Sequence, residues 1–363
     1  MSVILFFLVI FVLVLVHEFG HFWVAKKTGM RVDEFGIGFP PKVASITKGE
    51  TEYSFNLLPI GGFVRIFGED AADAVGSPDE KRSFIAKSPL QQTAVLIAGV
   101  TANMIFAWVL FIAVYALGVP TVVDEAVATP EARLVIAEVL PGSPAEKAGI
   151  ERGAVVTSIR ADDATLETLT VSSFKDFTAN KEDVPLTIAV SQGGDDRELV
   201  LIPATNVIEG QPEQVAVGVA LAMVEVVRAP IGEAIVTGTV ETYQTFIAVT
   251  AGMATLLWDT VRLEADLSSV AGPIGIVGLV DEAAQFGLTS LLMFTALISV
   301  NLAVINLLPF PALDGGRLLF VLIEVVKGSR INPIWVMRLN TIGFFLLIGL
   351  MVAVTWSDIS KLL

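Results

Sequence analysis

The sequence predicts an α-helical membrane protein. It has four transmembrane helices, a membrane-associated β-hairpin after the first, and a small α+β module inserted after the second. Three observations predict this. Of the 363 residues, 54% are hydrophobic and only 17% are charged, well to the apolar side of ordinary soluble domains. Four apolar stretches, near residues 3–24, 93–117, 288–308 and 334–356, have about the ~20 residues a helix needs to cross a bilayer. Between the second and third, residues 119–222 alternate short apolar runs with glycine- and proline-rich turns, the pattern of a compact strand-rich module.

The first span opens with fourteen unbroken apolar residues, 3–16. It lacks the basic leader and small-residue cleavage site of a secretory signal, so it reads as a retained span. It runs directly into His17-Glu18-Phe19-Gly20-His21, which holds both histidines of the chain. Residues four apart share one helix face, so both imidazoles can reach one cation. The glutamate between them is then placed to activate water, the arrangement behind the zinc-protease HExxH pattern. Polar groups at the end of a bilayer-length apolar run are costly in lipid, which marks them as functional.

Glu52 to Leu58 and Phe63 to Phe67 have strand character around a Pro59-Ile60-Gly61-Gly62 turn, and residues 36–41 (Gly-Ile-Gly-Phe-Pro-Pro) suggest another turn. So apolar a hairpin can lie against the membrane and offer its edge to an extended chain, or merely pack on the helices. The second span has Asn103 as its main polar interruption. In the module after it, strands are expected near 134–139, 186–190 and 198–203, with a Pro141-Gly142-Ser143-Pro144 turn into a short helix and a Gly193-Gly194 turn. Strands joined in this way resemble a PDZ domain, a fold that takes peptide tails by strand addition. A steric filter or spacer accounts for the same pattern. Residues 230–267 suggest a long helix of mixed polarity, and Gly272-Pro273-Ile274-Gly275-Ile276 a broken, re-entrant segment.

Charge orients the chain. Residues 26–89 carry nine Lys/Arg, whereas 119–287 spread nine among 25 Asp/Glu. Basic density favours the cytoplasm for the first loop and for Arg317, Lys327 and Arg330. Both termini and the acidic central region then lie outside. A net charge of −15 argues against a nucleic-acid partner. With no cysteine there is neither a disulfide framework nor a thiolate ligand, so a zinc site built on His17 and His21 must take its third protein ligand from oxygen.

Catalytic zinc uses three protein ligands and an open position. The best third candidate is Asp314, in Asn306-Leu-Leu-Pro-Phe-Pro-Ala-Leu-Asp-Gly-Gly-Arg317. There two prolines break a helix and two glycines let the backbone turn. Taken alone, Asp314 reads as a helix cap or a partner of Arg317. Beside an HExxH in a chain without other histidines, it reads as the ligand. Glu18 is then the general base, taking a proton from the attacking water and passing it to the departing amide nitrogen. Asn301 and Asn306 can bond the main chain of an extended substrate, or satisfy neighbouring helices. A helical substrate must unwind locally before its peptide bond can be reached.

Together these motifs resemble the site-2 protease family of intramembrane zinc metalloproteases, particularly its bacterial regulator-of-sigma-E protease branch. The likeness covers nearly the whole chain: residues 17–21, Pro59-Ile60-Gly61-Gly62-Phe63-Val64 with Gly68-Glu69, Ala98-Gly99 through Asn103, the PDZ-like module, residues 272–276, and Asn306 to Gly316. It implies zinc held by His17, His21 and Asp314, with Glu18 as catalytic base and Asn301 and Asn306 as substrate binders. The implied substrates are single-span membrane proteins, such as a membrane anti-sigma factor or a remnant signal peptide, cut after a first extracytoplasmic cleavage. The implied location is a bacterial plasma membrane, with the active site near the cytoplasmic side. Three departures stand out: Val100 replaces a usual proline, one PDZ-like module fits where the best-known branch has two, and Arg317 stands where histidine is common.

The expected organisation is 1–118 for two spans and the hairpin (about 33–68), 119–222 for an extracytoplasmic PDZ domain, 223–287 for an amphipathic helix and the re-entrant segment, and 288–363 for the last two spans. The rival readings are a metallohydrolase acting on another amide and a PDZ-bearing scaffold or sensor with a non-proteolytic metal site.

Overall fold

The computed structural model of the protein describes residues 2–69, 77–161, 164–179, 181–192, 195–208, 210–211, 213–262, 264 and 271–362. The expected Gly193-Gly194 turn lies outside them. In chain order the elements are α1 (Ser2–Lys27), β1 (Val32–Lys48), β2 (Thr51–Ile66), α2 (Pro89–Leu117), β3 (Val119–Val123), β4 (Arg133–Val139), α3 (Pro144–Lys147), β5 (Val155–Ala161), β6 (Ala164–Thr165), α4 (Val171–Ala179), β7 (Leu186–Gln192), β8 (Asp195–Leu201), β9 (Val219–Val227), α5 (Ile231–Arg262), α6 (Pro273–Gln285), α7 (Leu288–Leu307), α8 (Asp314–Lys327) and α9 (Pro333–Leu362). They form two compact units. One comprises Met1–Ala113, Ile235–Glu282 and Leu292–Leu363, the other Val114–Ala234 with Ala283–Leu291.

In the first unit, α1, α2, α7 and α9 are the helices long and apolar enough to cross a membrane among the described residues. They coincide with the four expected spans. Where helices meet, small and branched residues interlock: Ala107 and Phe111 of α2 pack on Ala296, Val300 and Val304 of α7, with Phe246 and Met253 of α5 beside them. In lipid such burial carries no hydrophobic gain, so close van der Waals packing of these small and branched residues is what holds the helices together. Faces without such partners stay apolar and exposed, as at Phe19, Trp23, Phe345 and Leu346. An apolar outer face of this kind suits a lipid solvent.

The hairpin differs from expectation in an informative way. Residues 36–41 are not a turn but part of β1, which is clasped on both sides by one long, bent β2. Phe35 is paired with Tyr53 on one side and Val64 on the other, and Gly36 with Ser54 and Phe63. Glu34 to Ile37 have strand partners on both flanks, which satisfies their backbone groups within the sheet, and Phe39 pairs on one side with Leu58. The 62–66 limb of β2 therefore forms an outer edge. Beyond β1, Met30, Val32 and Ile66 pack with Ala25, Val95, Leu96 and Val321, which ties the sheet to α1, α2 and α8.

The Gly-Pro segment near 272 also differs. It is no broken turn but the start of α6, with Pro273 as its first residue, where proline's fixed φ and missing N–H cost nothing. Asp358 of α9 accepts from Gly272 N at 3.1 Å and Gly275 N at 2.8 Å, satisfying amides that a helix start leaves free.

The second unit is a twisted antiparallel sheet in the order β3-β9-β4-β5-β7-β8, with β6 on β5. Alternation puts Leu186, Ile188 and Val190 of β7 inward, into a core with Leu134, Ile136, Ile159 and Phe174. The Ser143 hydroxyl accepts from Glu146 N at 3.2 Å, while Glu146 accepts from Gly142 N at 2.6 Å. This reciprocal cap starts α3 where the sequence puts Pro144. Strand β9 runs through Val227, past the expected module edge at 222.

Candidate metal centre

His17 and His21 lie one turn apart on the same face of α1, almost wholly buried. Their Nε2 atoms are 3.1 Å apart. Asp314 reaches the same point from the far end of the chain. Residues 308–313 break the chain between α7 and α8, Ala312 has φ +76°, and Leu313 is extended before Asp314 begins α8. Gly315 and Gly316 permit this tight return. A Cβ on Gly315 would collide with the Leu307 and Leu308 carbonyls, and one on Gly316 with that of Phe310. Asp314 Oδ2 thereby sits 3.0 Å from His17 Nε2 and 3.2 Å from His21 Nε2.

The three sequence-predicted ligand atoms thus form a nearly equilateral triangle. A zinc ion with ligands at about 2.0–2.1 Å in tetrahedral geometry has ligand–ligand edges of about 3.3–3.4 Å. The observed edges of 3.0, 3.1 and 3.2 Å match that within a few tenths of an ångström. Two imidazoles and a carboxylate, with no thiolate in the chain, are a donor set of the catalytic zinc type. The outer nitrogen of His21 supports this use: Nδ1 lies 2.8 Å from the Val95 carbonyl, which can only accept, so the proton is on Nδ1 and the neutral ring presents its Nε2 lone pair. Among the described residues these three are the His/Cys/Asp/Glu group able to hold a metal ion.

Glu18, half-buried beside them, accepts from Val64 N at 3.0 Å. That amide belongs to the outer limb of β2, so the carboxylate of the HExxH motif and the sheet edge meet directly. Arg317, read from sequence as a possible partner of Asp314, pairs with Glu69.

The asparagines expected to bind substrate are not drawn against the three ligand atoms. Asn301 donates to Leu297 O of its own helix at 2.9 Å, and the side chain of Asn306, half-buried near the end of α7, makes no hydrogen bond among the described residues. Two residues of α2 stand against the histidines without having been singled out for it from sequence. Gly99 is so close that a Cβ there would enter both rings. Asn103, fully buried, has its amide nitrogen 3.3 Å from His17 Nδ1. Both lie in the Ala98-Gly99 to Asn103 stretch that carries part of the family likeness, and a lone amide in an apolar span marks Asn103 further.

The family model for peptidase family M50 matches residues 5–350. The chain belongs to the M50, or site-2 protease, family. A Clostridium perfringens protein, CPE1693, is 37% identical over 351 residues, covering 96% of this chain and 95% of that one. The zinc metalloproteases named RasP of Geobacillus kaustophilus and Oceanobacillus iheyensis are 30% and 29% identical, each covering 99% of this chain and 98% and 99% of their own. This M50 chain is a zinc metalloendopeptidase of the site-2 protease type and a membrane protein.

Proposed function

We propose that this site-2 protease hydrolyses a peptide bond within or beside the transmembrane segment of a single-span membrane protein, after a first extracytoplasmic cut has removed most of the ectodomain. The observation that carries this is the convergence of His17, His21 and Asp314 within 3.2 Å, with Glu18 bonded to the sheet edge at Val64. An unwound substrate segment leaves its N–H and C=O groups unsatisfied in lipid. An adjacent strand edge is what such a segment needs for partners, by strand addition. An apolar groove of about 810 Å³ between α1, α2 and β1, bordered by Gly20 and Ala98, suits the rest of a membrane helix.

In this reading His17, His21 and Asp314 hold the metal. When bound, zinc supplies Lewis acidity at the scissile carbonyl and makes water a nucleophile near neutral pH. Glu18 takes the proton from the attacking water and delivers it to the departing amide nitrogen, so water and peptide become a carboxylic acid and an amine. Asn301 and Asn306 turn their amides to the substrate main chain on binding.

The second unit is assigned as a PDZ domain on the extracytoplasmic side. A groove of about 310 Å³ between α4 and the segment leading into β9, lined by Val171, Phe174, Thr178, Val217 and Leu221, supports that assignment. Residues 1–118, 223–287 and 288–363 complete the membrane part in the plasma membrane, with the metal centre towards the cytoplasm. Membrane anti-sigma factors and remnant signal peptides are substrates of the matching chemistry.

The test is Glu18→Gln. Zinc content should stay at the wild-type level, while cleavage of a single-span reporter in reconstituted vesicles falls by about 10²–10⁴-fold, the usual contribution of a general base. Unchanged cleavage by Glu18→Gln would overturn the mechanism, and no cleavage by the zinc-loaded wild-type protein would favour the scaffold or sensor reading.

A further inference from the structure

Around the metal centre, the outer nitrogen of each imidazole is held by α2, but in unlike ways. His21 Nδ1–H donates to the main-chain carbonyl of Val95 at 2.8 Å. His17 Nδ1 faces instead a side chain, the amide of Asn103, at 3.3 Å. That residue is fully buried, and its own main-chain carbonyl accepts from Ser299 Oγ at 2.8 Å, which pins this turn of α2 to α7. The nitrogen end of the amide is turned to His17, and the oxygen end is buried with no partner among the described residues.

With the nitrogen end donating to Nδ1, the His17 proton sits on Nε2 and points at Asp314 Oδ2 and His21 Nε2. That satisfies the cluster when three protein atoms face one another. It is the wrong tautomer for binding a cation there, which requires a bare Nε2 and a proton on Nδ1. The two ends of a primary amide have nearly the same size, so a half-turn brings the oxygen to Nδ1 within the same space. It also gives the oxygen, now unpartnered, a donor.

We infer that Asn103 is a positioning residue for zinc: with the metal loaded, its amide oxygen accepts the His17 Nδ1–H and holds the ring with Nε2 towards the ion. The change moves no net charge, and it gives both imidazoles the same tautomer, one through Val95 and one through Asn103. This rests on the metal centre proposed above.

The chain's two histidines make the test direct. In protein labelled with ¹⁵N only in histidine, loaded with zinc in detergent, the four ring nitrogens should resolve as two metal-bound Nε2 and two protonated Nδ1. Asn103→Leu, which keeps the shape and removes the acceptor, should weaken zinc in chelator competition by 10- to 100-fold, as loss of a metal ligand's hydrogen-bond partner does. It should also disturb the Nδ1–H signal of one histidine only. Asn103→Asp, whose carboxylate can accept but not donate, should hold zinc within about threefold of wild type, an estimate for a retained acceptor. The inference is overturned if loaded wild-type protein carries the His17 proton on Nε2, if Asn103→Leu holds zinc as tightly as wild type, or if Asn103→Asp falls as far as Asn103→Leu. Failure of the metal centre itself looks different: wild-type protein would then show no metal-bound Nε2.

Discussion

Gly99→Ala adds one methyl group to α2 and changes no charged or polar group. In a free helix it would be favourable, because alanine is the better helix former by about 0.5–1 kcal/mol. Here the methyl carbon would fall 2.7 Å from His17 Cε1 and 2.8 Å from His17 Nε2, and nearer still to His21 Nε2. Ordinary contact begins at about 3.4 Å, so each ring must retreat by roughly 0.6–0.7 Å or more. Catalytic constellations tolerate about 0.5 Å, and a misplacement near 1 Å costs about 100-fold in rate. We therefore expect cleavage of a transmembrane reporter to fall at least about 100-fold and zinc retention against a chelator to fall about 10- to 100-fold. Overpacking the two buried rings costs about 1–3 kcal/mol, partly offset by the helix-propensity gain of about 0.5–1 kcal/mol, so the unfolding midpoint measured without metal should fall only modestly. The assays are reporter cleavage in vesicles, metal content after chelator dialysis, and unfolding of the metal-free protein. Activity and zinc content within threefold of wild type would refute the reasoning. So would a loss of both in a protein already unfolded at the assay temperature.

Two further outcomes follow from other parts of the fold. Hydrogen bonds from Lys26, and then from Arg82, hold the Glu50 carboxyl below its ordinary value of 4.5, at 2.8 Å and at 2.6–2.8 Å. A carboxyl with a depressed folded pKa contributes stability above its unfolded pKa and loses it as pH falls through the folded value. Glu50→Gln should therefore lower stability at pH 7 by no more than about 1 kcal/mol, because these groups are about a third exposed. The difference should vanish below the depressed value; unfolding scans across pH in detergent measure it, and a gap that widens in acid contradicts the assignment. Ile159→Ala removes a fully buried side chain from the sheet core, so pulse proteolysis of the full chain should report a loss of about 2–5 kcal/mol in the second unit; a loss below 1 kcal/mol would mean that core is not packed as described.

The site was more legible from sequence than the elements that support it. Two histidines in one pentapeptide, and an aspartate after a proline-broken span, carry chemistry that few other arrangements need, and the structure brings their atoms together. The spans were legible because a bilayer demands a fixed apolar length. Their ends were less so: α2 starts at Pro89, since Gln91 and Gln92 add helix without adding hydropathy. Residues 36–41 looked like a turn because glycine and proline usually mark one locally. Only pairing with β2, on both sides at Gly36 and Ile37 and on one side at Phe39, makes them strand. Asn103 and Gly99 stand against residues more than seventy positions away; the lone amide and the glycine were visible locally, but which side chains they meet was not.

The most direct measurement is zinc K-edge X-ray absorption on the loaded wild-type protein. Two imidazoles and a carboxylate predict nitrogen and oxygen neighbours at about 2.0–2.2 Å, with the outer-shell signature of two rings and no sulfur. A spectrum with fewer than two imidazoles, or one that Asp314→Ala leaves unchanged, would contradict a centre assembled from the first helix and the start of α8.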